Sequence, residues 1–371
     1  MRIAELGAAL DELFPPRWAE PWDNVGLTIG RADVELRRVL VALDVTLETV
    51  AEAVDRRCEL LLTHHPFPWH ERRRYDLAAP EGRLLAEVVR AGLNLFAVHT
   101  NLDASPQGHA ALLAHRLGLA DVRPMKPGGD RLVKIVVFVP REDAARVRAA
   151  MDEAGAGRIG NYRGCSFTTA GIGRFIPQEG ARPARGEIGS ETAVEEERVE
   201  AICQGRLMER VLRAVRAVHP YETMAYDVFP EEFGEAEVGL GRVGRIVPTS
   251  PGEFLARLKG LLGVERLDLA GPLPGLLERV AICPGAAGEM IERAAAAGAQ
   301  LLIGGEFSHH DVLAARAHGL AVAAAGHYPT ELPAVEILWA RCREIVGEAV
   351  EVLRAEGEHN PFAQFREGGE R

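Results

Sequence analysis

Short apolar runs alternate with helical amphipathic patterns over most of this chain. In the first part, RRVLVALDV (37–45) reads as a buried strand, ETVAEAVDRRC (48–58) as a helix and ELLLTHHP (59–66) as a second strand with its exit. EGRLLAEVVRAG (81–92) is a helix, LNLFAVHTNLD (93–103) a strand and GHAALLAHRLG (108–118) a helix. Alternation of this kind predicts βαβ units and a mostly parallel sheet. It resumes late in the chain with GRVGRIV (241–247), LERVAIC (277–283), AQLLIGGE (299–306) and LAVAAAGHYPTE (320–331) as strands, separated by helical segments.

Between these regions the pattern changes. The breaker cluster PMKPGGD (124–130) is a boundary signal. RLVKIVVFVP (131–140) then reads as a strand and REDAARVRAAMDEAG (141–155) as a helix. A Gly-rich stretch (161–177) and a loop (181–191) follow. ERVEAICQG (197–205) is a strand, LMERVLRAVRAVHP (207–220) a helix and TMAYDVFPEE (223–232) a strand. That order is the ferredoxin-like pattern of an α+β unit. The fold class is therefore α/β, two similar halves with mostly parallel sheets, interrupted by a ferredoxin-like insert. The expected segments are 1–126 and 239–355 for the halves, 131–238 for the insert and a flexible polar tail over 356–371.

The outer segments repeat one another in element order and approximate length. The last strand of the first half ends in H-x-x-x-D, His99 to Asp103; that of the second ends in H-x-x-x-E, His327 to Glu331. The adjacent pair His64–His65 follows another apolar strand. Neighbours on a strand point to opposite faces, so both can serve one site only where the backbone is turning, as Pro66 and Pro68 suggest. In open α/β sheets, ligands bind outside the carboxyl ends of the strands. Two facing halves would bring His64, His65, Asp103, His327 and Glu331 into one cleft. This imidazole and carboxylate set suits Zn, Fe, Mn, Co or Ni. Five ligands overfill one catalytic ion, so two divalent metal ions per subunit are expected, the arrangement of two-metal hydrolytic sites. His309 and His310, opening a helix, are expected to cap it or support a ligand. His70, His109, His115, His318 and His359 are read as surface or satisfied residues, and Glu195 to Glu197 as a solvated charge run.

Composition narrows the class. The chain has 371 residues, a formal net charge of -11 and five cysteines. The acidic balance argues against a binder of nucleic-acid backbone. The scattered, odd cysteine count, with no CxxC pair, suits a reducing compartment. No run is long enough to span a membrane, so a cytoplasmic protein is expected. There is no GxxxxGK[ST] loop, and no GxGxxG follows a strand.

PWDNVGL (21–27), LLTHHP (61–66), HTNLDA (99–104) and GHYPTE (326–331), in this order, resemble the GTP cyclohydrolase 1 type 2 homologue family, also called NIF-three-like. The resemblance covers essentially the whole chain. It implies a dinuclear metal centre in a toroidal homohexamer, with ligands at His64, His65, Asp103, His327 and Glu331. His99 matches a family position close to the metals, either orienting a ligand or acting as a general acid/base. Asp23 and Asn24 resemble the motif lining the same cleft; the alternative is a capped turn with a buried Trp22. GGE (304–306) departs from the TGD of many relatives, which makes Glu306 a weaker catalytic candidate than His99. The insert resembles PII and CutA proteins, through NYRGCSF, GIGRFIP and HPYE (219–222). His219 and Glu222 could bind something, although a packed loop is the simpler reading. The activity implied is a metal-dependent hydrolase using a metal-bound hydroxide on a small molecule, with GTP, another nucleotide, a phosphoester or an amide as substrate. The alternative is a metal-binding regulator with a ligand-sensing insert.

Overall fold

The computed structural model describes residues 1–70, 72–128, 132–230 and 237–362. The chain divides into two units, residues 1–129 with 236–371, and residues 130–235.

The first unit holds two mixed sheets built alike. In one, the parallel strands Arg38–Ala42, Leu60–Thr63 and Asn94–Ala97 lie side by side, and Gly26–Ile29 pairs antiparallel on the outer side of the last. In the other, Leu277–Ala286, Leu301–Glu306 and Ala321–Ala324 are parallel neighbours, and Asp268–Ala270 pairs antiparallel on the last. The repeat in the sequence is thus a repeat of sheet topology.

Three further strands complete these sheets; of them the hydrophobic pattern isolated only Gly239–Thr249, as 241–247. Glu351–Arg354 pairs in parallel with Arg38–Ala42. Gly239–Thr249 joins Leu277–Ala286, and Ala120–Pro127 pairs with it at the sheet edge. The prolines of PMKPGGD therefore lie in an edge strand, where a missing N–H costs no ladder bond.

Helices cover both faces of each sheet, which is why the central strands are apolar throughout. Helices Ile3–Leu13 and His327–Val346 bury Leu6, Leu10, Leu338 and Cys342 against Val39, Val41 and Leu62. Helices Leu47–Asp55 and Pro80–Ala91 place Val50, Ala53 and Val88 against Leu40 and Leu61. On the second sheet, Phe254 and Leu258 of helix Pro251–Leu262 pack on Val280, Ile282 and Ile303, and Ile291 and Ala294 cover Leu302 and Val322.

The second unit is one four-stranded antiparallel sheet. Its elements run Leu132–Pro140, helix Ala144–Glu153, Phe167–Phe175, Thr192–Gln204, helix Met208–Val218 and Tyr226–Pro230. The first strand lies between the third and the fourth, and the second is outermost beside the third. The Gly-rich stretch supplies the second strand. Glu195 to Glu197 are ladder residues rather than a solvated run; Glu196 is buried and accepts a hydrogen bond from Tyr221 Oη at 2.8 Å.

Two GxGxxG spacings occur, Gly155–Gly160 and Gly239–Gly244. One follows a helix and the other lies inside a strand. Neither presents a helix N-terminus to a phosphate.

Candidate metal centre

The parallel strands of the first sheet end at Thr63 and Ala97, and the chain turns at once. His64 and His65 donate their backbone N–H groups to Ala42 and Leu43, and Thr63 Oγ1 caps the turn by donating to His65 O at 2.7 Å. The turn lets two adjacent side chains share one cleft, their ring centroids 5.0 Å apart.

Each imidazole is fixed through one nitrogen. His64 Nδ1 lies 3.0 Å from Val98 O and His65 Nδ1 2.7 Å from Asp44 Oδ1. His99 Nδ1 lies 2.9 Å from Asp23 Oδ1, whose other oxygen accepts from Thr100 N at 3.0 Å and from Thr100 Oγ1. Asp44 is itself positioned: the Glu358 carboxylate accepts from the N–H groups of Leu43 and Asp44. The other ring nitrogen of each histidine is left for the cleft, the arrangement that fixes the tautomer of a ligating imidazole.

The second half contributes from helix His327–Val346. His327 and Glu331 sit at i and i+4 on its first turns, so the H-x3-E spacing is helical rather than a strand exit. Two glycines make room. A Cβ on Gly285, whose φ is +66°, would lie 2.1 Å from Glu331 Oε1; one on Gly305 would lie 2.7 Å from Gly285 O and 2.8 Å from His327 Cα. The H-x3-D/E repeat is not superposable: His99 is two residues past the last paired strand residue Ala97, His327 three past Ala324. His99 accordingly turns to Asp23, whereas His327 pairs with Glu331.

Glu331 Oε2 lies 3.0 Å from His65 Nε2 and 2.9 Å from His327 Nε2. Neither approach has hydrogen-bond geometry, so this oxygen is buried without a partner. Asp103 Oδ1 is 3.5 Å from His64 Nε2 and 3.6 Å from His109 Nδ1, beyond hydrogen-bonding distance. Among the described residues, six buried side-chain polar atoms lack a hydrogen-bond partner. Four of them are His64 Nε2, Asp103 Oδ1, His109 Nδ1 and Glu331 Oε2.

Electrostatics follow from this packing. Burial pushes His64 well below the usual histidine value and, with the nearby Glu331 charge, Asp103 well above the carboxylate range. Burial alone would lower His65, but its pairing with Asp44 and Glu331 raises it to about 10. Pairing with Glu331 raises His327 to about 9 against the opposing effect of burial. Buried Glu331 is nevertheless held well below its usual value by His327 and His65.

A cavity of about 190 Å³ adjoins the cluster, lined by Trp22, Trp69, His99, Cys283 and Met290 among others. Lone pairs that converge without bonding one another, beside an open cavity, fit a cation. His64, His109 and Glu331 each present a ligand atom within 4.8 Å of the others; so do His65, His327 and Glu331, and also His64, His65 and His99.

A family profile described as Duf34/NIF3 (NGG1p interacting factor 3) matches residues 1–361. The chain belongs to this family. A Mycobacterium tuberculosis protein named GTP cyclohydrolase 1 type 2 homolog is 38% identical over 362 residues, covering 96% of this chain and 92% of its own. A Bacillus subtilis protein of the same name is 33% identical, covering 95% of each. A solved Bacillus cereus protein related to NIF3 is 30% identical with a TM-score of 0.68, covering 98% of this chain and 99% of its own.

In this Duf34/NIF3 chain the five expected ligands do meet, with His99 beside them. Glu306 is exposed and stands 3.3 Å from His327 Nδ1, behind the cleft-facing nitrogen. His309 and His310 are exposed, and their helix is capped by Ser308 with Asp311 instead. Trp22 is not buried; it is 53% exposed and stands against Trp69 and His99. Asn24 Nδ2 donates to Pro68 O, tying PWDNVGL to the loop after the histidine pair.

His109, read as a surface or satisfied residue, is 1% exposed, and its Nδ1 has no hydrogen-bond partner. The one available signal was the break S-P-Q-G at 105–108, which folds a second helix back on the segment carrying Asp103. Arg242 carries no such signal in the sequence. Its buried guanidinium donates to Gly241 O at 2.8 Å and Ser105 O at 2.6 Å, joining the second sheet to the end of the Asp103 helix. Among the described residues no helix is long and apolar enough to cross a membrane.

Proposed function

We propose that this protein is a dinuclear metal-dependent hydrolase. The observation that carries the reading is the convergence of four buried, unsatisfied donor atoms from His64, Asp103, His109 and Glu331 beside His65 and His327. In this reading His64, His65, Asp103, His327 and Glu331 hold two divalent ions from the series Zn, Fe, Mn, Co or Ni. When bound, such ions lower the pKa of water and polarise a carbonyl or phosphoryl oxygen.

The chain's own residues do the rest. Asp23 holds His99 through Nδ1, leaving Nε2 to exchange a proton with substrate or water. Trp22 and Trp69 wall the cavity beside His99 and give a flat ring a stacking surface. Glu306 acts through His327, as a positioning residue. The name of the relatives makes GTP the first substrate to test, ahead of other nucleotides and phosphoesters.

The strand order of residues 132–230 supports a ferredoxin-like, PII/CutA-like insert over 131–238, with 1–126 and 239–355 as the halves of one metal-binding domain. Exposed Tyr162, Phe167 and Ile172 offer apolar surface for further copies, in keeping with a cytoplasmic homohexamer.

A second reading, a metal-binding regulator, is favoured by one observation. The insert contains a cavity of about 650 Å³ lined by Phe175, Arg174, Glu196 and Tyr221. Ligand binding there without turnover would favour this reading.

The deciding experiment is elemental analysis of wild type and a His64→Ala/His327→Ala double mutant, purified without chelator or nickel affinity. About two ions per wild-type chain, lost in the folded mutant, supports the centre. Metal-reconstituted wild type that binds none overturns it.

A further inference from the structure

His109 opens helix His109–Arg116. A Cβ on Gly108 would lie 2.0 Å from Leu102 O, so the chain folds sharply there and delivers His109 back beside Asp103. Its ring meets that of His64 edge-on, centroids 5.3 Å apart. A buried nitrogen with no partner is destabilising, and a small apolar side chain at this position would avoid that cost.

A hydrogen bond does not explain it. Asp103 Oδ1, 3.6 Å away, is too far. His64 commits Nδ1 to Val98 O, so its Nε2 is a lone pair. With Asp103 Oδ1 and Glu331 Oε2 it forms a set of acceptors, which a bound cation satisfies and a hydrogen-bond network among them does not.

We infer that His109 is a metal ligand of this chain and makes the two metal positions unequal: a closed one held by His64, Asp103, His109 and Glu331, and an open one held by His65, His327 and Glu331. The inference rests on the dinuclear reading above. Four protein ligands with His64 and His109 buried describe a closed site that retains its ion; three ligands with His327 a third exposed leave a position for substrate.

The test uses metal-free full-length protein reloaded with zinc. Wild type should bind two ions and release them to a chelator in two phases, the slow one at least about tenfold slower. In His109→Val the slow phase should speed up by more than about 100-fold, beyond the 10–100-fold typical for loss of a group that only supports a ligand. A crystal structure of zinc-loaded wild type, with data collected at the zinc edge, should place one ion within bonding distance of a His109 ring nitrogen, about 2.0–2.1 Å. This measurement decides the matter even if the variant does not fold. No ion at that distance, or unchanged two-phase release in folded His109→Val, overturns the role of His109 while leaving the dinuclear reading intact. Wild type that binds no zinc overturns both.

Discussion

Glu331, from the second half of the repeat, sets its Oε2 3.0 Å from Nε2 of His65, from the first. The same oxygen is 2.9 Å from His327 Nε2. One carboxylate thus joins the halves and faces both groups of nitrogen donors. Glu331→Gln keeps the shape and removes the charge. It should lower metal content below one ion per chain while circular dichroism stays that of the wild type. Two ions retained per chain would remove Glu331 from the ligand set.

The pH response of the metal-free protein follows from His65 and His327. Their folded values, about 10 and about 9, lie above the ordinary 6.5. Their protonated forms therefore stabilise the fold fully below pH 6.5, and that contribution is lost as pH rises through 9 and then 10. Metal-free protein should lose thermal stability across this window. Metal must displace these protons, so affinity should rise with pH over the same range, with buffer-dependent heats in calorimetry. A flat affinity profile would contradict this placement.

Asp23 is the partner that fixes His99. Asp23→Asn should leave metal content unchanged and reduce turnover about 10–100-fold. His99→Ala should reduce it by about 10²–10⁴, with a changed pH–rate profile in both. Loss of metal in either variant would instead make His99 a ligand.

Gly305 packs where a methyl group would meet Gly285 O and His327 Cα. Because these are backbone atoms, Gly305→Ala should cost about 1–3 kcal/mol in chemical denaturation and weaken metal binding through displaced His327. Stability equal to wild type would show that this contact relaxes freely.

Glu358 reaches back to Leu43 and Asp44, and Glu356 and Gly357 donate backbone N–H groups to Glu52. The expected start of a polar tail is therefore tied to the sheet that carries His65. Glu358→Ala should cost about 1.5–3 kcal/mol, the range for hydrogen bonds to a charged group, read in denaturant melts of metal-free protein.

That His64, His65, Asp103, His327 and Glu331 come close together was legible from the strand–helix alternation and its repeat, although His327 and Glu331 lie on a helix rather than at a strand exit. An ordered set of apolar strands places its exits at one end, whatever the loops do. His109 was not legible: a lone histidine after a loop break carries no periodic signal, and its burial depends on how sharply Gly108 turns the chain. Glu351–Arg354 was missed because four residues after a long helix gain strand character only by pairing with Arg38–Ala42.

The amino-acid sequence by itself determined the α/β class, the two-half repeat, the interrupting unit and the chemistry of the donor set. These follow from local periodicity and residue type, which need no knowledge of distant neighbours. Tertiary structure alone decided which nitrogen of each histidine faces the cleft, that Glu306 stands behind His327, that Asp23 holds His99, and that His109 joins the cluster. Each of these depends on atoms far apart in the chain being brought within a few ångströms by packing, and hydrogen-bond geometry changes over that scale.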